Sequence, residues 1–197
     1  ALDRDPPETT HPSYPEASQQ TGATTWRCKE CHGWDYRGAD GIYSSGSHFT
    51  GIPGIYGAIG GTEAAIAALL RGPDHGYTAD MINDEELARL AAFVSRGQVD
   101  MSRYVNLETR EIIWGDLTRG RAIFQSTCAA CHGFDGRAYD WGEGDEHAYV
   151  GTEAAAAPDE VMGKIMNGHP GVAMINLRAF GPDAAHDVLS YAATLPQ

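Results

Sequence analysis

The chain has 197 residues, 14 Lys plus Arg against 27 Asp plus Glu, a formal net charge of -13 and 42% hydrophobic residues. That hydrophobic content excludes wholesale disorder, and the length suits one ordinary domain or two small ones. The acidic balance excludes an unaided nucleic-acid binder, because a phosphate backbone would repel it, and favours basic protein surfaces as partners; no apolar run approaches the roughly 18 residues of a transmembrane segment.

Residues 1–20, with Pro6, Pro7, Pro12 and Pro15, read as an extended N-terminal arm, either a disordered terminus or a segment that Tyr14 packs onto the body. A chain opening Ala-Leu-Asp, without an initiating Met and ahead of this Pro-rich leader, reads as a mature product whose export signal has been removed. A helix is expected from about Gly22 into Cys28-Lys29-Glu30-Cys31-His32. Another is expected over about 62–71 with Thr62 as its cap, leading through Gly72-Pro73-Asp74-His75 to Met81. Asn83-Asp84-Glu85-Glu86 places an acid three residues after an Asx cap, and Leu87, Leu90, Ala91 and Val94 follow at helical spacing up to Gly97. These predict a closing helix for a first domain over 21–98. Residues 99–115 read as a connector, with Val105 to Ile113 as the best strand signal, a short hairpin.

The second domain is expected over 116–197. A helix from about Leu117 leads into Cys128-Ala129-Ala130-Cys131-His132, and a further helix covers about 158–167, with Pro158 in its first turn and Gly168 after its end. Ile165-Met166-Asn167-Gly168-His169-Pro170 then leads to Met174, and Gly181-Pro182-Asp183 opens a closing helix carrying Val188, Leu189 and Ala192. The expected fold class is all-α.

The four cysteines carry the chemistry. Both pairs stand in a complete C-x-x-C-H. Thiols one helical turn apart form thioether bonds to the two vinyl groups of one porphyrin, while the adjoining His offers its imidazole to the iron. The cofactors expected are therefore two covalently attached haem c groups, one on Cys28 and Cys31 with His32, the other on Cys128 and Cys131 with His132. Two disulfides would leave the His after each second Cys unexplained. A zinc ribbon joins its pairs over about 15–20 residues, and Cys31 and Cys128 stand much farther apart.

The duplication extends past the motifs: Cys-His-Gly-Trp-Asp at 31–35 is matched by Cys-His-Gly-Phe-Asp at 131–135, and each copy continues to a small helical run, a Gly/His/Pro loop with a Met, and a closing helix. This order resembles a bacterial periplasmic dihaem cytochrome c built from two fused class I cytochrome c domains, over roughly residues 20–196. The resemblance implies two tandem domains, each wrapped around one haem, and His/Met ligation of the iron by His32 with Met81 and by His132 with Met174. A thioether favours ferrous iron and raises the potential, which suits electron transport. The methionines come 49 residues after His32 and 42 after His132, each just ahead of its closing helix.

The sequence departs from the family where Ile82 and Ile175 replace the usual Pro after the Met. His75 and His169, in corresponding loops, and His48 are the rival ligands, giving bis-His iron of lower potential. Met101, Met162 and Met166 are expected in the core, and His11, His147 and His186 at the surface. Trp34, Tyr36, Phe134 and Tyr139 are read as cleft lining or core, and Arg37 and Arg137 as partners of haem propionates or of surface acids. Both irons closed by protein ligands leave no catalytic residue, so the expected function is a soluble periplasmic carrier shuttling electrons between donor and acceptor proteins with basic docking patches. The alternatives are a dihaem oxidoreductase acting on peroxide or sulfur compounds, and a haem-based ligand sensor.

Overall fold

A computed structural model describes residues 5–169 and 171–197. The first four residues of the expected arm, and Pro170 in the loop before Met174, lie outside the described residues. The chain divides into two units, one ending at Val99 and one beginning at Asp100. Among the described residues the regular structure is helical, in keeping with an all-α class, and no strand forms. The expected hairpin reduces to a single bridge between Val105 and Ile112, and a second isolated bridge joins Gly38 and Pro53.

In the first unit, α1 (Cys28–His32), α2 (Glu63–Arg71) and α3 (Asp84–Arg96) are the α-helices. Local chemistry sets their ends. Thr62 caps α2 by accepting from the Ala65 N–H. At α3, Asn83 accepts from the Glu86 N–H at 2.9 Å while the Glu86 carboxylate accepts from the Asn83 N–H at 2.8 Å, a reciprocal cap that satisfies two otherwise orphaned donors. Leu87, Ala91 and Val94 on α3 close over Ile66 and Leu70 on α2, with Ile82 sealing the end of this core and Met81 packed against it. The helix expected before the first motif is a single 3-10 turn over Gly22–Trp26. Gly22 starts it at φ 65°, and the β-region Arg27 breaks it from α1, so no continuous helix forms.

The arm leading to it is packed down. Tyr14 is buried, His11 Nε2 donates to the His75 carbonyl at 2.9 Å, and the His11 ring lies 4.4 Å from Trp26. His11 is thus half-buried, a correction to its expected surface position.

In the second unit the α-helices are α4 (Leu117–Ile123), α5 (Ala129–His132), α6 (Val150–Ala156), α7 (Pro158–Asn167) and α8 (Pro182–Ala192). A π-helical turn, Phe124–Cys128, joins α4 to α5. Helix α8 is the centre of this unit: every residue from Ala184 to Ser190 is buried. Gly120 lets α4 cross it closely, since a Cβ there would stand 1.9 Å from the Asp187 carbonyl oxygen. Met162 and Met166 of α7, and Met101, are core residues as expected.

Residues 100–115 belong to this second unit. The Tyr104 hydroxyl donates to Asp183 at 2.7 Å, and the Gly115 N–H to Ser190 Oγ at 2.9 Å. His186, expected at the surface, is buried: its ring packs 4.9 Å from Tyr104 and its Nε2 donates to the Ile113 carbonyl.

Candidate functional site

The two C-x-x-C-H segments fold alike beyond their second thiol. Gly33 and Gly133 end their helices at φ 73° and 79°, and each N–H donates at 2.9 Å to the carbonyl four residues back, Lys29 in one copy and Ala129 in the other. The His32 carbonyl accepts from the Gly38 N–H at 2.8 Å, and the His132 carbonyl from the Ala138 N–H at 3.1 Å. Asp35 accepts from the Arg37 N–H, and Asp135 from the Arg137 N–H, both at 3.1 Å. The left-handed position three residues after Gly33 and Gly133 is Tyr36 at φ 65° in one copy and Gly136 at φ 78° in the other. Even the arginines correspond: Arg37 stacks on Tyr56 at 4.2 Å and Arg137 on Tyr149 at 5.4 Å.

In the first unit the loop after the motif turns back to orient His32. Gly38, at φ 54°, sits where a Cβ would be 2.5 Å from the Ile52 carbonyl oxygen, so only glycine admits this approach. The approach delivers the Pro53 carbonyl to 2.9 Å from His32 Nδ1. A carbonyl only accepts, so Nδ1 carries the proton and Nε2 keeps the lone pair. Such second-partner anchoring is the usual way a metal-binding imidazole is oriented. Desolvation also lowers the His32 pKa, more than its bond to Pro53 raises it, which favours the neutral, ligating form.

Across from this ring stands His75. The two centroids are 6.1 Å apart with 30° between the planes. His75 Nδ1 donates to the Leu69 carbonyl at 3.2 Å. The Tyr77 hydroxyl donates to the Trp26 carbonyl at 2.8 Å, tying the His75 loop to the segment just before Cys28. Met81, by contrast, is packed on the α2–α3 core. His48 is engaged elsewhere, with Nδ1 3.0 Å from the buried Glu30 carboxylate and its ring stacked on Tyr43 at 4.8 Å.

All four cysteines are free thiols. Desolvation pushes Cys31 up to about 11, helped by Cys28 and Glu30, and raises Cys128 as well, so these thiols are uncharged in the bare chain. Among the described residues no three His, Cys, Asp or Glu side chains gather as a metal cluster.

His132 has a different setting. Its Nδ1 is buried without a partner, desolvation lowers its pKa, and Tyr139 and Trp141 each lie 6.1 Å from its ring. Both aromatics are exposed, as are Phe134, Val172 and Ile175, while Met174 is half-buried. Two exposed aromatics, Tyr139 and Trp141, beside an imidazole that follows directly on two thiols in the chain fit a flat apolar macrocycle that would cover them. His169 is exposed.

The sequence did not point to Pro53, Tyr77, His11 or Trp141. Pro53 acts through its carbonyl, which every residue type has; a Tyr two positions after a candidate His, and a Trp two after Tyr139, are visible signals that spacing alone does not interpret.

Residues 115–191 match the family model described as cytochrome C oxidase, cbb3-type, subunit III, a stretch that includes Cys128, Cys131, His132 and Met174. No curated protein matches the chain significantly. The family match supports a c-type cytochrome, with covalently bound haem c and haem-based electron transfer as the coarse character of this part of the chain.

Proposed function

We propose that the chain is a dihaem c-type cytochrome of two tandem class I domains, exported to the periplasm, which carries electrons between protein partners and has no catalytic residue. What supports the reading is the repeat, at an offset of 100 residues, of the loop's closing hydrogen bonds, Gly33 and Gly133 to the carbonyl four back, Gly38 and Ala138 to the motif His carbonyl, and Arg37 and Arg137 to Asp35 and Asp135, in a half that matches a cytochrome family model and in a half outside the match. A haem bound in this way supplies an iron that cycles between ferric and ferrous states.

The residues have distinct tasks. Cys28 and Cys31, and Cys128 and Cys131, hold the macrocycle through thioethers. His32 with Met81 and His132 with Met174 would ligate the two irons, the neutral thioether of each Met favouring the reduced state. Buried and half-buried aromatics exclude water and so reduce the reorganisation that accompanies a change of charge. The acidic chain steers a basic face of its donor or acceptor.

Intact mass and a denatured haem assay on protein made with a c-type maturation system test this. Two covalent haems are expected, falling to one in Cys28→Ala/Cys31→Ala and to one in Cys128→Ala/Cys131→Ala. A wild-type chain with the mass of the bare polypeptide refutes the proposal. Rapid carbon monoxide binding by the reduced wild-type protein would favour the oxidoreductase or sensor reading instead.

A further inference from the structure

Residues 72–81 follow α2 and end on Met81, and every one of them is exposed or half-buried. A loop with so little buried surface opens readily unless groups outside it hold it shut. Two holds are present. At the end of α2 the Arg71 guanidinium donates to the Tyr77 carbonyl at 2.9 Å and to the Ile82 carbonyl at 2.7 Å, closing the stretch between them.

The second hold comes from the N-terminal arm. His11 Nδ1 accepts from the Ser13 N–H at 3.1 Å, so its proton is on Nε2, which donates to the His75 carbonyl at 2.9 Å. The His11 ring lies 4.4 Å from Trp26 and 6.2 Å from Tyr77, and Trp26 and Tyr77 are 6.0 Å apart, so the three rings form one cluster. The Tyr77 hydroxyl donates to the Trp26 carbonyl at 2.8 Å and also meets the Cys28 side chain.

The arm is tied in turn to the segment that enters the motif. The His11 N–H donates to Thr25 Oγ1 at 2.8 Å, Trp26 Nε1 to the Thr9 carbonyl at 2.7 Å, and the Gly22 N–H to Thr10 Oγ1 at 2.9 Å. His11 and Tyr77 therefore join the backbone just ahead of Cys28 to the loop that carries Met81. The buried α2–α3 cluster is built from Ile66, Leu70, Ile82, Leu87, Ala91 and Val94, so this hold can be removed without cutting into the core.

Resting on the His/Met dihaem reading above, we infer that His11 and Tyr77 are positioning residues for the first iron: together they latch the Met81 loop to the segment ahead of Cys28, and so set how readily that Met yields to an added ligand. The latch acts through the loop, because each opening withdraws the thioether and leaves a coordination position free. The partners named here all lie in the first unit, so the second haem serves as an internal reference.

The test is displacement of the far-red sulfur-to-iron charge-transfer band by added imidazole in the oxidised holoprotein. Wild type shows the band of two methionine-ligated haems. In His11→Ala half of the band is lost at a roughly 2- to 10-fold lower imidazole concentration, the range expected for one neutral hydrogen bond, while the other half titrates as in wild type. The sensitive half is the one that remains in Met174→Leu. His11→Gln, whose amide N–H replaces the lost donor, titrates like wild type, and Tyr77→Phe, which gives up the bond to the Trp26 carbonyl, shifts the same half as His11→Ala. Unchanged titration in His11→Ala, or in Tyr77→Phe if His11→Ala does not fold, overturns the inference. So does a His11→Gln shift as large as that of His11→Ala, a sensitive half that vanishes with Met174→Leu, or a one-methionine band in wild type; each of these leaves the two covalent haems standing. Absence of covalent haem overturns both readings.

Discussion

Gly120 is a single residue on which the second unit depends, because α4 crosses α8 at the one place where its side chain is a hydrogen. A Cβ there would meet the Asp187 carbonyl oxygen at 1.9 Å and the Tyr191 Cβ at 3.0 Å. Gly120→Ala is therefore expected to destabilise by about 1–3 kcal/mol, the usual cost of overpacking a close contact. Chemical unfolding of the holoprotein measures this, with Gly57→Ala, which meets nothing within 4 Å, as the control. Asp140 makes a different residue-scale prediction. Its carboxylate accepts from the Ala148 N–H at 2.9 Å and the Gly142 N–H at 3.0 Å and lies 2.6 Å from His147 Nδ1, which together hold its pKa down at about 2 against an ordinary 3.8. A depressed carboxylate stabilises the folded loop above the unfolded pKa and loses that contribution as pH falls through the folded one. The loop over 140–148 is thus secure above pH 4 and released towards pH 2; an NMR titration of the Asp140 carboxyl with an ordinary midpoint would refute this. At this scale the sequence was legible for Met101, Met162 and Met166, whose apolar side chains are buried as expected. It was silent where a backbone atom acts, as at Pro53. For His11 and His186 the expectation of exposure failed because their carbonyl partners, at His75 and Ile113, are 64 and 73 residues away in the chain.

Helices whose ends are set by local chemistry were readable at the scale of elements. The Thr62 and Asn83 caps, Pro158 with Gly168, and Gly181 with Pro182 bound α2, α3, α7 and α8 close to where the sequence placed them, because caps and periodicity act within a few residues. Elements set by distant contacts were less readable. The stretch before the first motif has helical ambitions in sequence but is wound as a 3-10 turn, its Thr25 hydroxyl donating to Gly22 and accepting from the His11 N–H. The Val105 to Ile113 stretch has strand propensity, yet it is held by Tyr104, Met101 and Val105 buried within the second unit, so only one bridge survives. Helix α6 has too little apolar periodicity to stand out. It is fixed by burial of Gly151 and Ala154 instead.

For the molecule as a whole, the charge of -13 is the property with kinetic consequences. Reduction by a basic redox protein should slow by roughly tenfold as ionic strength rises from about 0.01 to about 0.15 M, because the Debye length contracts from about 30 to about 8 Å. Stopped-flow rates measure this; a rate that rises with salt would point to an acidic partner. Among the described residues no helix is long and apolar enough to cross a membrane. The repeat adds something that neither charge nor size expresses. The hydrogen-bonded loop is duplicated, but its approach is not: a 3-10 turn enters one copy and a π turn the other. Residues 31–38 and 131–138 are nonetheless not interchangeable: a swap would bring Ala138 to the place of Gly38, where a Cβ stands 2.5 Å from the Ile52 carbonyl oxygen, so each copy of the loop is fitted to its own half.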